Sequence, residues 1–259
     1  MNPSFKSKNP KLSIITIVLN NKLFLEQTIL SVINQDFNDY EFIIIDGGST
    51  DGTLDVIKKY ESHVTNWVSE KDSGIYNAIN KGLSLARGEW VNILNSGDRL
   101  HASDTLAKVF KSEIPEEKAV LYGNWFLCSL VKNPDELTPG FANYSKGELL
   151  HQSMIYKKKL HETYGMYIDT KKLIISDYIF FLTLPPKLFH YLDFPVSIND
   201  VTGVSSGYWS YRQKLAFDYI LGKISLAFLF YENLRIFIPR IDLYIFKRLK
   251  KIFSKLLRN

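Results

Sequence analysis

The sequence predicts an α/β fold: an open sheet flanked by helices, followed by a helical, amphipathic C-terminal extension. Three observations carry this reading. Short apolar runs rich in β-branched residues recur at Leu12–Leu19, Phe42–Ile45, Val64–Ser69 and Glu89–Leu94, as expected of strands buried on both faces. Segments with helical spacing separate them, and βαβα alternation points to a parallel sheet. Each apolar run also stops at a polar or glycine-bearing loop.

Taken in order, the first strand, Leu12–Leu19, ends at Asn20-Asn21. Leu23–Asn34 then has a helical apolar face made of Leu25, Ile29, Val32 and Ile33. The second strand, Phe42–Ile45, runs into Asp46. That carboxylate is expected at the carboxyl end of the strand, the edge where open α/β sheets bind ligands. Gly47 and Gly48 permit positive φ and a close ligand approach, and Ser49, Thr50 or Asp51 can cap the helix Leu54–Tyr60. Val64–Ser69 is a third strand, Glu70–Gly74 a polar loop, and Ile75–Ala86 a helix with Gly88 as its C′ glycine. Glu89–Leu94 is the fourth strand and leads into Asn95-Ser96-Gly97-Asp98. Asn20, Asp46, Asp72 and Asp98 thus follow four strands and are expected along one edge. Downstream, Ala102–Lys111 reads as a helix, Val120–Leu127 as a strand, and the Pro/Gly-bearing stretch Lys132–Tyr144 as a loop over the site. Gly165–Asp169 reads as a turn, Leu173–Leu184 as a helical run stopped by Pro185-Pro186, and Leu188–Phe194 as a strand. Val201–Tyr208 is a Gly/Ser loop, and helical spacing resumes from Trp209.

A chain of 259 residues with 46% hydrophobic content can bury one large or two small cores. One cysteine, Cys128, excludes an internal disulfide framework and fits a reducing compartment. Met1–Lys11 has no apolar signal core, and the best membrane-span candidate, Ile224–Ile238, is interrupted by Glu232, Asn233 and Arg235. The net charge of +5 is uneven. Arg240–Asn259 holds seven basic residues against Asp242 alone, so that segment is +6 and the remainder −1. A nucleic-acid surface over the main domain is therefore not expected.

The segments Ser13–Val18, Asp46–Thr53, Asn80-Lys81-Gly82, Ala86–Trp90, Asn95–Asp98, His151-Gln152-Ser153 and Asp177-Tyr178 stand in the order and spacing of a known pattern. Over residues 11–208 the chain resembles the family 2 glycosyltransferases, inverting enzymes of the GT-A fold, a Rossmann-like mixed sheet flanked by helices. Ser69–Gly82 resembles the pattern of bacterial surface-polysaccharide enzymes of the colanic acid, capsule and O-antigen type. The resemblance implies a nucleotide-sugar-binding half at 11–100 and an acceptor half at 101–208, and the residues that follow, 209–259, read separately as a helical basic tail. It implies a UDP- or GDP-linked sugar as donor, a lipid-linked saccharide as acceptor, and a divalent metal, Mg2+ or Mn2+. It also implies a cytoplasmic enzyme, peripheral on the inner face of the cytoplasmic membrane.

The same resemblance assigns donor binding to Thr16, Asn20, Asp46, Gly48, Ser49, Asp72, Asn80 and Lys81. Asp46 matches the nucleoside position, where a carboxylate accepts from base N–H or ribose hydroxyl. Asp72 either does the same or caps the helix at Ile75. Lys71 and Tyr76 can support the donor pocket. Asp98 matches the last Asp of the family's Asp-x-Asp metal motif, although Asn95 and Gly97 replace other usual carboxylates, leaving one. Asp177 matches the catalytic base, which takes the acceptor's proton, with a helix N-cap as its competing role. His151 is expected at donor phosphate, metal or acceptor, or else is structural, and Gln152 and Tyr178 lie in the same acceptor-side motifs.

On a helix, Ile241, Tyr244, Ile245, Leu249, Ile252, Phe253 and Leu256 share a face opposite Lys247, Arg248, Lys251, Lys255 and Arg258. That pattern suits a membrane interface, with residues 240–259 as the anchor, or a helix packed on the domain with a solvated basic face. The rival functional class is a non-catalytic nucleotide-sugar-binding or scaffold protein at the membrane. A nucleotidyltransferase would need a glycine-rich phosphate loop with a basic residue near the N-terminus, and Ser13–Asn21 has none.

Overall fold

The computed structural model describes residues 9–202 and 207–237. Among them nine strands form one sheet: β1 (Leu12–Val18), β2 (Tyr40–Asp46), β3 (Asn66–Ser69), β4 (Trp90–Ile93), β5 (Arg99–Leu100), β6 (Val120–Ser129), β7 (Asn133–Gly140), β8 (Met154–Lys157) and β9 (Phe189–Asp200). Their order is β3-β2-β1-β4-β8-β6-β9-β5, with β7 paired to β6. The first four are mutually parallel, β8 is antiparallel to β4 and β6, β9 runs parallel to β6, and β5 and β7 are antiparallel to their neighbours. The sheet is therefore mixed, as expected.

Helices cover both faces, which is why the central strands read as unbroken apolar runs. Ile15, Ile17, Ile43, Ile45, Val91 and Ile93 face α3 (Ile75–Leu85) and α6 (Ser176–Thr183) through Ile79, Leu83, Phe180 and Phe181. The alternate residues Leu12, Ile14, Val18, Phe42, Ile44 and Trp90 face α1 (Lys22–Ile33), α2 (Thr53–Lys59) and α4 (Thr105–Lys111) through Leu25, Ile29, Val32, Ile57, Leu106 and Val109. The short helix α5 (Leu160–Tyr164) buries Leu160 in the first of these cores.

Four local expectations need correction. Residues 132–144 are not simply a loop, because they contain β7, hydrogen-bonded to β6 from Ser129↔Asn133 to Trp125↔Gly140. Within the sheet β7 pairs with β6 alone, and such an outer strand tolerates the prolines that made the segment look irregular. The strand expected at Leu188–Phe194 continues to Asp200, because Pro195 sits at a register shift opposite Asn124. Gly88 is not a C′ glycine: α3 ends at Leu85, Ala86 is extended, and a Cβ on Gly88 would lie 2.5 Å from the Ser13 backbone nitrogen. Close approach to β1 requires glycine there. Finally, Gly74 stands at the start of α3 without a side-chain cap, so Asp72 does not cap that helix. Ahead of α2 it is Gly52 that stands at the N-cap, without a side-chain cap, and Asp51 only accepts from Thr53 N at 3.0 Å, so none of Ser49, Thr50 and Asp51 is the cap.

The described residues form two compact units, one of 9–172 and 176–202, the other of 173–175 and 207–237. The second contains α7 (Tyr208–Ile220) and α8 (Leu226–Phe237). Tyr211 donates to Glu232 at 2.6 Å, and Arg235 pairs with the same carboxylate at 2.8 Å. No helix among the described residues is long and apolar enough to cross a membrane. The basic tail at 240–259 lies outside the described residues.

Candidate active site

Because β3, β2, β1 and β4 are parallel neighbours, the loops carrying Asn20, Asp46, Asp72 and Asp98 emerge from one edge of the sheet. Asp46 is fully buried at the end of β2. Its Oδ2 accepts from Gly48 N at 3.1 Å, Ser49 N at 3.0 Å and Ser69 Oγ at 2.6 Å. Its Oδ1 has no partner among the described residues. One oxygen thus fixes the loop while the other retains its capacity to accept from a ligand N–H or hydroxyl. Gly48 has a φ of 86°, a conformation that favours glycine.

Asn20 and Ser49 lace the first two loops together. Asn20 has a φ of 48°, tolerated by asparagine, and its Oδ1 accepts from Thr50 N at 2.8 Å. Asn20 N donates to Ser49 Oγ at 2.7 Å. Lys81 reaches back from α3 to Asp72 at 2.6 Å and Glu70 at 2.8 Å. A Cβ on Gly47 would stand 3.0 Å from Asp72 Oδ2, so the β2 loop and the Asp72 loop touch. The Lys71 backbone lies against Gly48. Thr16 is fully buried within β1, its hydroxyl without a partner among the described residues. Asn80 spends its amide on the backbone of Tyr167, donating at 2.8 Å and accepting at 3.2 Å.

The loop after β4 is held from α1: Thr28 Oγ1 accepts from Gly97 N at 2.9 Å and donates to Asp98 O at 2.7 Å. Asp98 is only 5% exposed, and its Oδ1 accepts from Asp200 N at 3.0 Å. Burial pushes its carboxyl up to about 7, the Asp200 carboxylate adds to the rise, and the Gln152 side chain opposes it by a hydrogen bond. Asp200 was not singled out from the sequence, because the strand it ends appeared to stop at Phe194. No group of three or more His, Cys, Asp or Glu side chains gathers as a metal cluster among the described residues. Asp98 and Asp200 nonetheless lie near enough for the Asp200 carboxylate to act on Asp98. That suits an Mg2+ or Mn2+ ion, which takes one or two protein carboxylates and completes its shell with substrate phosphate and water.

Asp177 lies in the first turn of α6. Its Oδ1 accepts from Tyr76 Oη at 2.6 Å, and its Oδ2 lies 3.6 Å from His151 Nδ1. Tyr76 belongs to α3, so the base candidate is tied to the helix that follows the Asp72 loop. Burial, then the Asp177 charge and hydrogen bond, push the Tyr76 phenol well up, keeping it a proton donor. His151 is buried among Tyr156, Tyr167 and Phe181. Tyr178 follows Asp177, with its hydroxyl 3.7 Å from where a Cβ on Gly147 would stand. Elsewhere, a surface concavity of about 360 Å3 is lined by Gln27, Ser31, Arg99 and His101, and contains none of these residues.

A family model described as "Glycosyl transferase family 2" matches residues 13–182. A PGL/p-HBAD biosynthesis glycosyltransferase of Mycobacterium tuberculosis is 30% identical over 206 residues, covering 76% of this chain and 80% of that protein. An uncharacterized glycosyltransferase of Haemophilus influenzae is 33% identical over 131 residues, 49% of this chain and 52% of that one. Among solved structures, S. aureus TarS 1-349 in complex with UDP-GlcNAc superposes with a TM-score of 0.58 at 18% identity, covering 77% of this chain and 60% of that chain. Mannosyltransferase PcManGT from Pyrobaculum calidifontis, in complex with GDP-Man and Mn2+, gives 0.58 at 18%, covering 82% and 61%. This chain thus spans about three fifths of those two structures, and at that identity the likeness is one of fold.

Proposed function

The chain belongs to glycosyl transferase family 2, and on that premise we propose that it moves one sugar, with inversion, from a UDP- or GDP-linked donor to a hydroxyl of a lipid-linked saccharide, with Asp177 as general base. The observation that carries this reading is the state of Asp177. One carboxylate oxygen is held by Tyr76, yet the side chain stays 29% exposed and can meet a substrate. Residues 11–208 would form the catalytic domain, with the donor half at 11–100 and the acceptor half at 101–208. Residues 209–259 would form a tail whose stretch 240–259 lies on the inner face of the cytoplasmic membrane.

In this mechanism the free Asp46 oxygen accepts from the donor's nucleoside, and the Asn20–Ser49 lacing keeps the two loops around it closed. Asp72 and Lys81 present a paired charge beside Gly47. Asp98, with Asp200 beside it, would hold the divalent ion, which when bound neutralises charge on the leaving diphosphate. Asp177 takes the acceptor's hydroxyl proton as that oxygen bonds to the anomeric carbon, and the bond to the diphosphate oxygen breaks on the opposite face. The donors in the TarS and PcManGT structures support a UDP or GDP sugar. The glycosyltransferase relative of M. tuberculosis, named for PGL/p-HBAD biosynthesis, supports a dedicated biosynthetic role.

The thinned carboxylate set at Asn95–Asp98 favours one rival, a membrane scaffold that binds nucleotide sugar without reacting. A panel of UDP and GDP sugars, incubated with Mn2+ or Mg2+ and assayed for released nucleoside diphosphate, separates the two. The enzyme releases nucleotide from at least one donor, and Asp177→Asn abolishes release while retaining donor binding. Binding with no release by the wild type establishes the scaffold.

A further inference from the structure

Behind Asp177 runs a buried chain of hydrogen bonds whose direction is fixed at its far end. His161 Nδ1 lies 3.0 Å from the carbonyl oxygen of Gly165, and a carbonyl only accepts, so Nδ1 carries the proton. His161 is neutral, its ring held down to about 4 by burial, so Nε2 is a bare acceptor. Tyr156 Oη, 3.1 Å away, therefore donates to it. Having spent its one proton, Tyr156 accepts from Tyr167 Oη at 2.8 Å. Tyr167 in turn accepts from His151 Nε2 at 3.0 Å. His151, whose ring burial also holds neutral, is thereby the Nε2–H tautomer. Its bare Nδ1 faces Asp177 Oδ2 at 3.6 Å, too far for a hydrogen bond and with no proton between the two atoms.

We propose that His151 is a positioning residue for the base, its lone pair held toward Asp177 so that the proton taken from the acceptor is received as an Oδ2–H···Nδ1 hydrogen bond. This rests on the assignment of Asp177 as base. Before the reaction the lone pair and the carboxylate oxygen face one another unbonded. As the acceptor oxygen's electron pair forms the new bond to the anomeric carbon, its proton moves to Asp177 Oδ2, and the departing diphosphate keeps the electrons of the broken bond. The protonated carboxyl, no longer repelled by the lone pair, closes the 3.6 Å gap and donates to His151 Nδ1 while Tyr76 still donates to Oδ1. The proton is given up to solvent when product leaves. The groups around the pair are Tyr76 from α3, Tyr156 from β8, Tyr167 from the irregular 165–169 segment, His161 from α5, and Phe180 and Phe181 from α6. Among the described residues the Asp177 carboxylate acts on the His151 ring, opposing burial, and the neutral His161 ring lies close enough to interact with it.

Nitrogen NMR of protein labelled on its histidines reads the tautomer directly, with His151 assigned by the signal lost in His151→Gln. A bare Nδ1 and protonated Nε2 at pH 7.5 are expected, and an Nδ1–H tautomer or an imidazolium at that pH overturns the proposal. Kinetics use nucleotide release from the donor sugar that wild type consumes. His151→Phe removes the acceptor for the protonated carboxyl, so kcat should fall at least tenfold with donor KM within twofold. The acid limb of the pH profile should move to lower pH. Tyr167→Phe keeps the ring but frees its tautomer, and should change kcat and the limb in the same direction. A kcat within threefold of wild type and an unmoved limb in both variants also overturn the proposal. Asp177→Asn distinguishes the failures: if it stays active, the base assignment itself falls, whereas an inactive Asp177→Asn with the wrong tautomer sinks the role of His151 alone.

Discussion

Replacing Asp98 by Asn should stabilise the metal-free protein, and more so as the pH rises. Asp98 is almost wholly buried, and its folded carboxyl ionises near 7 against about 3.8 in the unfolded chain. The folded state therefore holds the proton more tightly. Below about pH 3 both states are protonated and the residue imposes no ionic penalty. As pH rises toward 7 the unfolded chain releases its proton first, and stability falls until the folded carboxyl ionises as well. At about 1.4 kcal/mol per pKa unit, the full penalty above pH 7 is of order 4 kcal/mol, and about half of it accrues between pH 5.5 and 8. Asparagine carries no charge and still accepts from Asp200 N. Urea unfolding in EDTA at pH 5.5 and 8 should show the advantage of the variant growing by about 2 kcal/mol. Taking the variant minus wild type at each pH cancels the other titrating groups. Added Mn2+ should then stabilise wild type and not the variant, since a ligand that binds only the folded state adds its binding free energy. An advantage that is constant across pH, or that shrinks at pH 8, would refute the reasoning.

Two further substitutions test the frame around the site. Gly88→Ala places a Cβ 2.5 Å from Ser13 N and 2.7 Å from Leu12 C, backbone atoms that cannot yield without displacing β1. Urea unfolding should show a loss of about 3 kcal/mol. Tyr76→Phe deletes the 2.6 Å hydrogen bond to Asp177, of a kind worth about 1.5–3 kcal/mol. Nucleotide release should fall about tenfold, and the acid limb should move to higher pH, because that bond favours the ionised carboxylate. This is the direction opposite to His151→Phe, and a shift of the same sign in both would contradict the assigned roles.

The donor-side edge was legible because Asp46 and Asp98 both come where an apolar run stops, and the parallel order of β3, β2, β1 and β4 follows from alternating strands and helices. Asp200 obeys the same rule, but Pro195 broke the apparent strand, and only pairing to β6 shows that a bulge absorbs it. The prolines of β7 misled in the same way. Gly88 announced a special backbone position without revealing which kind, since a left-handed cap and a close approach both select glycine. The environment of Asp177 had no local signal at all. Tyr76 is 101 positions away, and Tyr156, His161 and Tyr167 come from a strand, a helix and an irregular segment.

The segment 165–169 is fastened to α3 and to the loop just before it. Asp169 receives Ser73 Oγ at 3.0 Å and Asn77 Nδ2 at 2.8 Å, and Asn80 grips Tyr167 on both sides. The same helix carries Tyr76 at its first turn and Lys81 in its second half. So cross-tied, α3, the 165–169 segment and the Asp177 carboxylate are joined by direct hydrogen bonds. A displacement of α3 would therefore load the Tyr76–Asp177 bond and the two Asn80–Tyr167 bonds together.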